Sequence, residues 1–376
     1  MADPADPADP ADLTDLADRP LRVLLDGTPL LGDRTGVGRY TASLSEELAS
    51  LSGVDTRAVA FTLRGWRRLR SVLPHGMRAR GMPVAARALR RAWLRSNFPP
   101  VELFAGRSDV VHGTNFVLPP SLRAAGVLTI HDLAFLDAPQ ELAPSDREVP
   151  ALVRKGAARA KAICTPTAAV ADAVADRLDV DREKIVVTPL GVDPAWFTGR
   201  PPGEDLRERI GLPARYLLFV GAAGPRKGLD WLRRAHAAAP DLPPLVFAGP
   251  GPHQPSDRTL HLGYLSEVDL RGVVAGAAAL VLPSRDEGFG LPVLEAMACD
   301  VPVVCSDIPA LREVADGHAT LVPYGEEGAL AEALRAAVGE VHLASASAKR
   351  RAHAAGFTWR RCAELTVGAY RTAAGR

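Results

Sequence analysis

The chain has 376 residues, 47% of them hydrophobic, and a formal net charge of +1. That length allows two domains with separate cores, and the near-zero charge gives no reason to expect a nucleic-acid partner. No apolar run is long enough to span a bilayer, and the acidic N-terminus is not a basic-then-apolar signal, so the expected location is the cytoplasm.

Residues 1–19 read as a disordered acidic, proline-rich tail, with three copies of Ala-Asp-Pro and few large apolar side chains. Cys164, Cys299, Cys305 and Cys362 fall in apolar stretches and form no CxxC pair. They read as small buried hydrophobes, not as a disulfide frame or a zinc site.

A first domain over residues 20–195 opens with strand Leu21 to Leu25 and the turn Asp33-Arg34-Thr35-Gly36-Val37-Gly38-Arg39-Tyr40. Tyr40, Leu44, Leu48 and Leu51 then recur at helical spacing, which puts Gly36 and Gly38 where backbone can approach a ligand closely. Arg57 to Thr62 reads as the second strand. No Asp or Glu occurs between Ala58 and Val101, while Arg64, Arg67, Arg68, Arg70, Arg87, Arg90, Arg91 and Arg95 cluster there. In the second group Ala85, Leu89 and Trp93 share one helix face, and Arg87, Arg91 and Arg95 another. Two readings stand. The basic face meets an anionic acceptor or an anionic membrane surface, the latter giving weak peripheral association at the inner membrane face, or it is a solvated helix side.

Val110-Val111-His112-Gly113 and Val127-Leu128-Thr129-Ile130-His131-Asp132 read as short buried strands ending in His. Ligands of doubly wound sheets bind at the carboxyl ends of strands, so both histidines are site candidates, with a structural hydrogen-bonding role as the other reading of each. Ala162 to Pro166 is another strand, Thr167 caps a helix marked by Val170, Val174 and Leu178, and strand Ile185 to Thr188 runs into Pro189-Leu190-Gly191-Val192-Asp193-Pro194. Residues 196–213 form the interdomain linker, on the proline, glycine and charge of Pro201 to Pro213.

The strand and helix alternation restarts in a second domain over residues 214–356. Strand Tyr216 to Val220 leads into Gly221-Ala222-Ala223-Gly224-Pro225-Arg226-Lys227-Gly228, a turn whose forked Arg226 and compact Lys227 suit a diphosphate. Lysine is rare in this chain, at 155, 161, 184, 227 and 349, so Lys227 stands out. Leu245 to Ala248 is the next strand, and Ala279 to Leu282 another. After it, the loop Glu287-Gly288-Phe289-Gly290 opens a helix at Pro292, with Val293, Leu294, Met297 and Ala298 as its apolar stripe. The helix start supplies free backbone NH groups for phosphate oxygens. A carboxylate there would repel phosphate, so two readings of Glu287 and Glu295 stand: they accept hydrogen bonds from neutral sugar or ribose hydroxyls, or they are a solvated loop acid and an acid on the positive end of the helix dipole. Asp300 suits a left-handed cap before strand Val301 to Cys305. A last helix carries Trp359, Ala363, Val367 and Tyr370 on one face, within a terminal segment 357–376.

The pattern EGFGLPVLEAMA followed by PVVCSDIPALREV closely resembles the retaining glycosyltransferases of family four, group 1 enzymes that include mannosyl- and rhamnosyltransferases. The resemblance runs from Leu21 to Tyr370. It implies an α/β chain of GT-B architecture, two doubly wound Rossmann-like domains facing an interdomain cleft, with the last helix returning to the first domain. It also implies transfer of a hexose-type sugar from a nucleotide-diphosphate sugar to a hydroxyl of a glycan, lipid-linked or small-molecule acceptor. Configuration is retained, and neither a metal nor a cofactor beyond that co-substrate is used.

Carried over position by position, Glu287 holds sugar-ring hydroxyls, Glu295 holds the ribose, and Arg226 with Lys227 binds the pyrophosphate. His131, in TIHDLAF, contacts the transferred sugar, with His112 second to it. Gly36, Gly38, Gly221, Gly288, Phe289, Gly290 and Leu291 surround the donor, and backbone near His261 to Ser266 wraps the base. Where some members have a further Arg after the first glycine of the phosphate turn, this chain has Ala222. Two alternatives belong to other classes: a nucleotide-sugar epimerase on the same fold, and a non-catalytic nucleotide-sugar-binding protein.

Overall fold

A computed structural model describes residues 19–32, 36–144, 146–251, 257–339 and 344–376. The expected N-terminal tail, apart from Arg19, and Asp33-Arg34-Thr35 of the first glycine turn lie outside the described residues.

The first sheet contains β1 (Leu21–Asp26), β2 (Val54–Val59), β3 (Arg78–Arg80), β4 (Val110–Gly113), β5 (Ala125–Thr129), β6 (Ala162–Thr165) and β7 (Ile185–Val187), in the order β3-β2-β1-β4-β5-β6-β7. The second contains β8 (Leu217–Val220), β9 (Leu245–Ala248), β10 (Thr259–Gly263), β11 (Ala279–Leu282), β12 (Val303–Ser306) and β13 (Thr320–Val322), in the order β10-β9-β8-β11-β12-β13. All pairings are parallel. The central strands β8, β9, β11 and β12 are buried at every position, as four-residue apolar runs covered by helices on both faces must be. In each sheet the strand order reverses between its first and fourth strands, opening a crevice at their carboxyl ends. These are two Rossmann-like domains.

Helix α1 (Gly36–Ser50) follows the glycine turn and buries Tyr40, Leu44 and Leu48. Helix α2 (Ala86–Arg95) buries Leu89 and Trp93 and leaves Arg87, Arg91 and Arg95 exposed. Helix α3 (Ala168–Leu178) is capped by Thr167, whose Oγ1 accepts from Val170 N at 3.2 Å. The proline-rich connection contains a helix that its composition concealed, α4 (Glu204–Ile210). It has Glu204 and Asp205 in its first turn, where the dipole favours acids, and ends at left-handed Gly211. Helices α5 (Leu229–Ala237) and α6 (Leu291–Ala298) follow the two loops that line the cleft, and α7 (Trp359–Ala374) returns to pack on α1, β5 and β6.

Strand β2 starts and ends three residues before the expected span, because Phe61 leaves the ladder and donates its backbone NH to Thr28 Oγ1 at 3.1 Å. Three of the four edge strands, β3, β10 and β13, have no fully buried run, so they lack the apolar signature that marks the central strands.

Candidate active site

The carboxyl ends of the two sheets meet across a cavity of about 380 Å³. Among the residues on its wall are Gly36 and His131 from the first domain, and Gly221, Arg226, Lys227 and the loop Glu287-Gly288-Phe289-Gly290-Leu291 from the second.

Strand β8 delivers the phosphate-type turn. Pro225–Lys227 forms one 3-10 turn, closed by Gly228 at φ +63°. A Cβ on Gly228 would stand 2.0 Å from the Pro283 carbonyl oxygen, so the two loops can close together only around glycine. Closing them brings the basic pair onto the loop after β11. Arg226 Nη1 donates to Asp286 O at 3.0 Å and to Glu287 Oε2 at 3.3 Å. Lys227 Nζ and Ser284 Oγ both donate to Glu287 Oε1, at 2.6 and 2.7 Å. Burial alone would push the Glu287 carboxyl up, but Lys227 and Arg226 outweigh it and hold the group below its ordinary value. Burial likewise works against charge on Arg226, and Glu287 and Asp132 more than restore it. Asp286 moves the other way, raised first by burial and then by Asp132.

The same loop seals against the first domain. A Cβ on Gly288 would fall 1.7 Å from the His131 carbonyl oxygen, and Thr167 Oγ1 donates to Gly288 O at 3.0 Å. Nearby, the Glu313 carboxylate accepts from Ala168 N at 2.8 Å and Ala169 N at 3.1 Å, an acid of the second domain on the positive end of α3.

His131 donates Nε2–H to the Thr114 carbonyl at 2.9 Å, which leaves Nδ1 as the acceptor of the neutral ring. Its ring lies edge-on to Tyr40 at 4.8 Å and to Phe116 at 5.7 Å. Burial lowers its pKa, with Thr114 and Asp132 acting in opposition. His112 lies off the cavity wall and is fully buried. It bonds Tyr370 OH through Nδ1 and Thr129 Oγ1 through Nε2, each at 2.7 Å, and burial brings its pKa to about 3. The second histidine candidate thus stands in the packing between sheet and returning helix.

Two other sequence candidates do not reach the cavity wall. Gly38 is buried within α1. Glu295 is 1% exposed in α6, with Oε1 accepting from Arg39 Nη2 across the domain boundary and Oε2 without a hydrogen-bond partner among the described residues. Arg39 itself lines the cleft and lies over the Trp196 ring at 5.9 Å. Burial lowers its pKa against the pull of Glu267 and Asp193. Sequence reasoning passed over Arg39; the available signal was its place directly after the Gly36 to Gly38 turn. Among the described residues no group of three His, Cys, Asp or Glu side chains is arranged to hold a metal ion, and no helix is long and apolar enough to cross a membrane.

Two facing doubly wound parallel sheets with a shared cleft at their carboxyl ends define the GT-B architecture. Residues 35–191 match the glycosyl transferase 4-like domain and residues 214–340 the glycosyl transferases group 1 domain, and the chain belongs to this glycosyltransferase family. It is 28% identical to O-antigen chain mannosyltransferase B of Escherichia coli, over 93% of this chain and 100% of that one. It is 37% identical to the D-inositol 3-phosphate glycosyltransferase of Stackebrandtia nassauensis, over 57% of this chain and only 54% of that protein's length. The fold is shared with sucrose-phosphate synthase of Thermosynechococcus elongatus, at TM-score 0.70 and 19% identity over 94% of this chain and 98% of that one. It is shared too with Anabaena Alr3699/HepE, solved with UDP and glucose, at TM-score 0.70 and 16% identity over 93% of this chain and 98% of that one.

Proposed function

We propose that the protein is a family-four enzyme that moves a hexose-type sugar from a nucleotide-diphosphate sugar to a hydroxyl of a glycan, lipid-linked or small-molecule acceptor. Configuration is retained, no metal ion is required, and the reaction takes place in the cytoplasm. The observation that carries this reading is the meeting of Arg226, Lys227 and the start of α6 with Glu287 in the interdomain cleft. The names of its relatives are consistent with it: one is a mannosyltransferase, and HepE was solved with UDP-glucose.

In this mechanism negative charge gathers on the departing nucleoside diphosphate, and Lys227, Arg226 and the backbone NH groups at the start of α6 stabilise it. A diphosphate competes with Glu287 for the two cations, so its arrival frees that carboxylate to accept from ring hydroxyls. His131, its Nε2–H committed to Thr114, offers Nδ1 to the sugar as a neutral acceptor. Glu295 takes the ribose, and the backbone of Gly36, Gly221 and Gly288 to Leu291 surrounds the donor. The acceptor attacks the face that the phosphate leaves, so no protein nucleophile is needed.

The test is turnover of nucleotide-diphosphate sugars with and without an acceptor extract, with the product anomer read by NMR. Transfer with the donor's anomeric configuration supports the proposal. Formation of an epimer from donor alone identifies an epimerase, and tight binding without transfer identifies a sensor.

A further inference from the structure

Arg39 and Glu295 lie 256 positions apart in the chain and on opposite domains, yet the guanidinium of one sits on the carboxylate of the other. We propose that Arg39 is a latch on the donor site: it competes with ribose hydroxyls for the seat on Glu295, and donor binding moves it into a neighbouring acid-lined cavity. This deepens the function proposed above and rests on its reading of Glu295 as the ribose acceptor.

A carboxylate that is 1% exposed requires a counter-charge, and here the other domain supplies it. The pairing is incomplete, because Glu295 Oε2 has no hydrogen-bond partner among the described residues. A vicinal diol brings two donors and can satisfy both oxygens, so ribose makes good what the guanidinium leaves undone.

Arg39 also has somewhere to go. It lines the donor cleft and, on its other side, a second cavity of about 220 Å³ whose wall carries Glu46, Asp193 and Glu267 against one other cation, Arg271. Trp196 lines that second cavity, and the guanidinium already lies over its ring. The side chain is thus poised between two acidic seats, only one of which blocks the donor. Because the pair joins α1 to α6, the exchange also releases one tie between the domains when donor arrives.

Latching lowers apparent affinity by the fraction of molecules whose seat is open. The test is calorimetric titration with UDP and GDP and with their 2′,3′-dideoxy forms, which lack the diol and have no need to displace Arg39. Arg39→Ala should bind the ribonucleotides roughly 3- to 10-fold more tightly than wild type and the dideoxy forms equally. Glu267→Gln, an exposed change that weakens the second seat, should loosen ribonucleotide binding alone. The latch is overturned if Arg39→Ala weakens binding, if it tightens both nucleotide forms alike, or if Glu267→Gln leaves ribonucleotide affinity unchanged. If wild type binds neither UDP nor GDP, the donor reading and the latch both fail. If wild type binds them and Lys227→Ala abolishes binding while Arg39→Ala changes nothing, the latch alone fails.

Discussion

Lys227 Nζ lies 2.6 Å from Glu287 Oε1, joining the phosphate-type turn after β8 to the loop after β11. The carboxylate assigned to sugar hydroxyls is therefore the counter-ion of the cation assigned to the diphosphate. The pairing favours the charged form of Glu287 in a buried site and places the two groups for exchange of partners when a diphosphate enters.

Removal of the ammonium should act on chemistry more than on folding. Lys227→Ala is expected to lower kcat by roughly 10²- to 10³-fold, the range for losing one donor to a developing oxyanion. Glu287 keeps Arg226 and Ser284 as partners in that variant, so the melting temperature should shift by only a few degrees. Steady-state kinetics beside a thermal melt separates the two effects.

Glu295→Ala removes the ribose acceptor. It should weaken nucleoside diphosphate binding by about tenfold or more, following the 1–3 kcal/mol range for a buried hydrogen-bonding group left without its partner. Calorimetry on the variant and wild type measures this directly, and unchanged affinity would remove Glu295 from the site.

Gly288→Ala tests the seal between the domains. With 1.7 Å from an added Cβ to the His131 carbonyl, the loop must back away from the first domain. The expected result is a loss of about 1–3 kcal/mol of stability together with reduced turnover. Denaturant unfolding and activity, measured on the same preparation, check the pair of effects.

Fully buried His112 has a pH signature. Burial lowers its folded pKa to about 3, against about 6.5 for the unfolded chain. Between these values the unfolded chain binds the extra proton, so the contribution is fully present above about pH 6.5 and is lost as pH falls toward 3. Melting curves from pH 7 to pH 4.5 should fall less steeply in His112→Gln than in wild type. Equal slopes would show that the imidazole is already protonated in the fold or still reached by water.

Exposed Arg87, Arg91 and Arg95 on α2 have Leu63, Met82 and Phe98 as exposed apolar side chains in the same stretch of chain. If this face meets an anionic surface, the protein should sediment with phosphatidylglycerol vesicles at low salt, and Arg→Glu changes at these three positions should abolish that. Equal recovery of wild type and triple variant assigns the face to solvent.

The central strands and both site turns were legible because each joins a short, fully apolar run to glycine: Leu217–Val220 before Gly221, and Ala279–Leu282 before Gly288 and Gly290. Edge strand Arg78–Arg80 was not, since neither of its Arg side chains is buried and Ala79 alone packs against the core beside β2. Helix Glu204–Ile210 was concealed by flanking prolines. The Arg39 to Glu295 contact could not be read at all, because no local pattern relates residues brought together from two domains. Nor did helical spacing announce that Glu295, one turn into α6, lies beneath the cleft wall instead of on it.

The most direct measurement is a structure of the protein with a bound nucleoside diphosphate. The diphosphate should lie against Arg226, Lys227 and the start of α6, with the ribose hydroxyls on Glu295 and Arg39 withdrawn toward Glu267. A nucleotide bound elsewhere, or one in this cleft with Lys227 still on Glu287 and Arg39 still on Glu295, would contradict it.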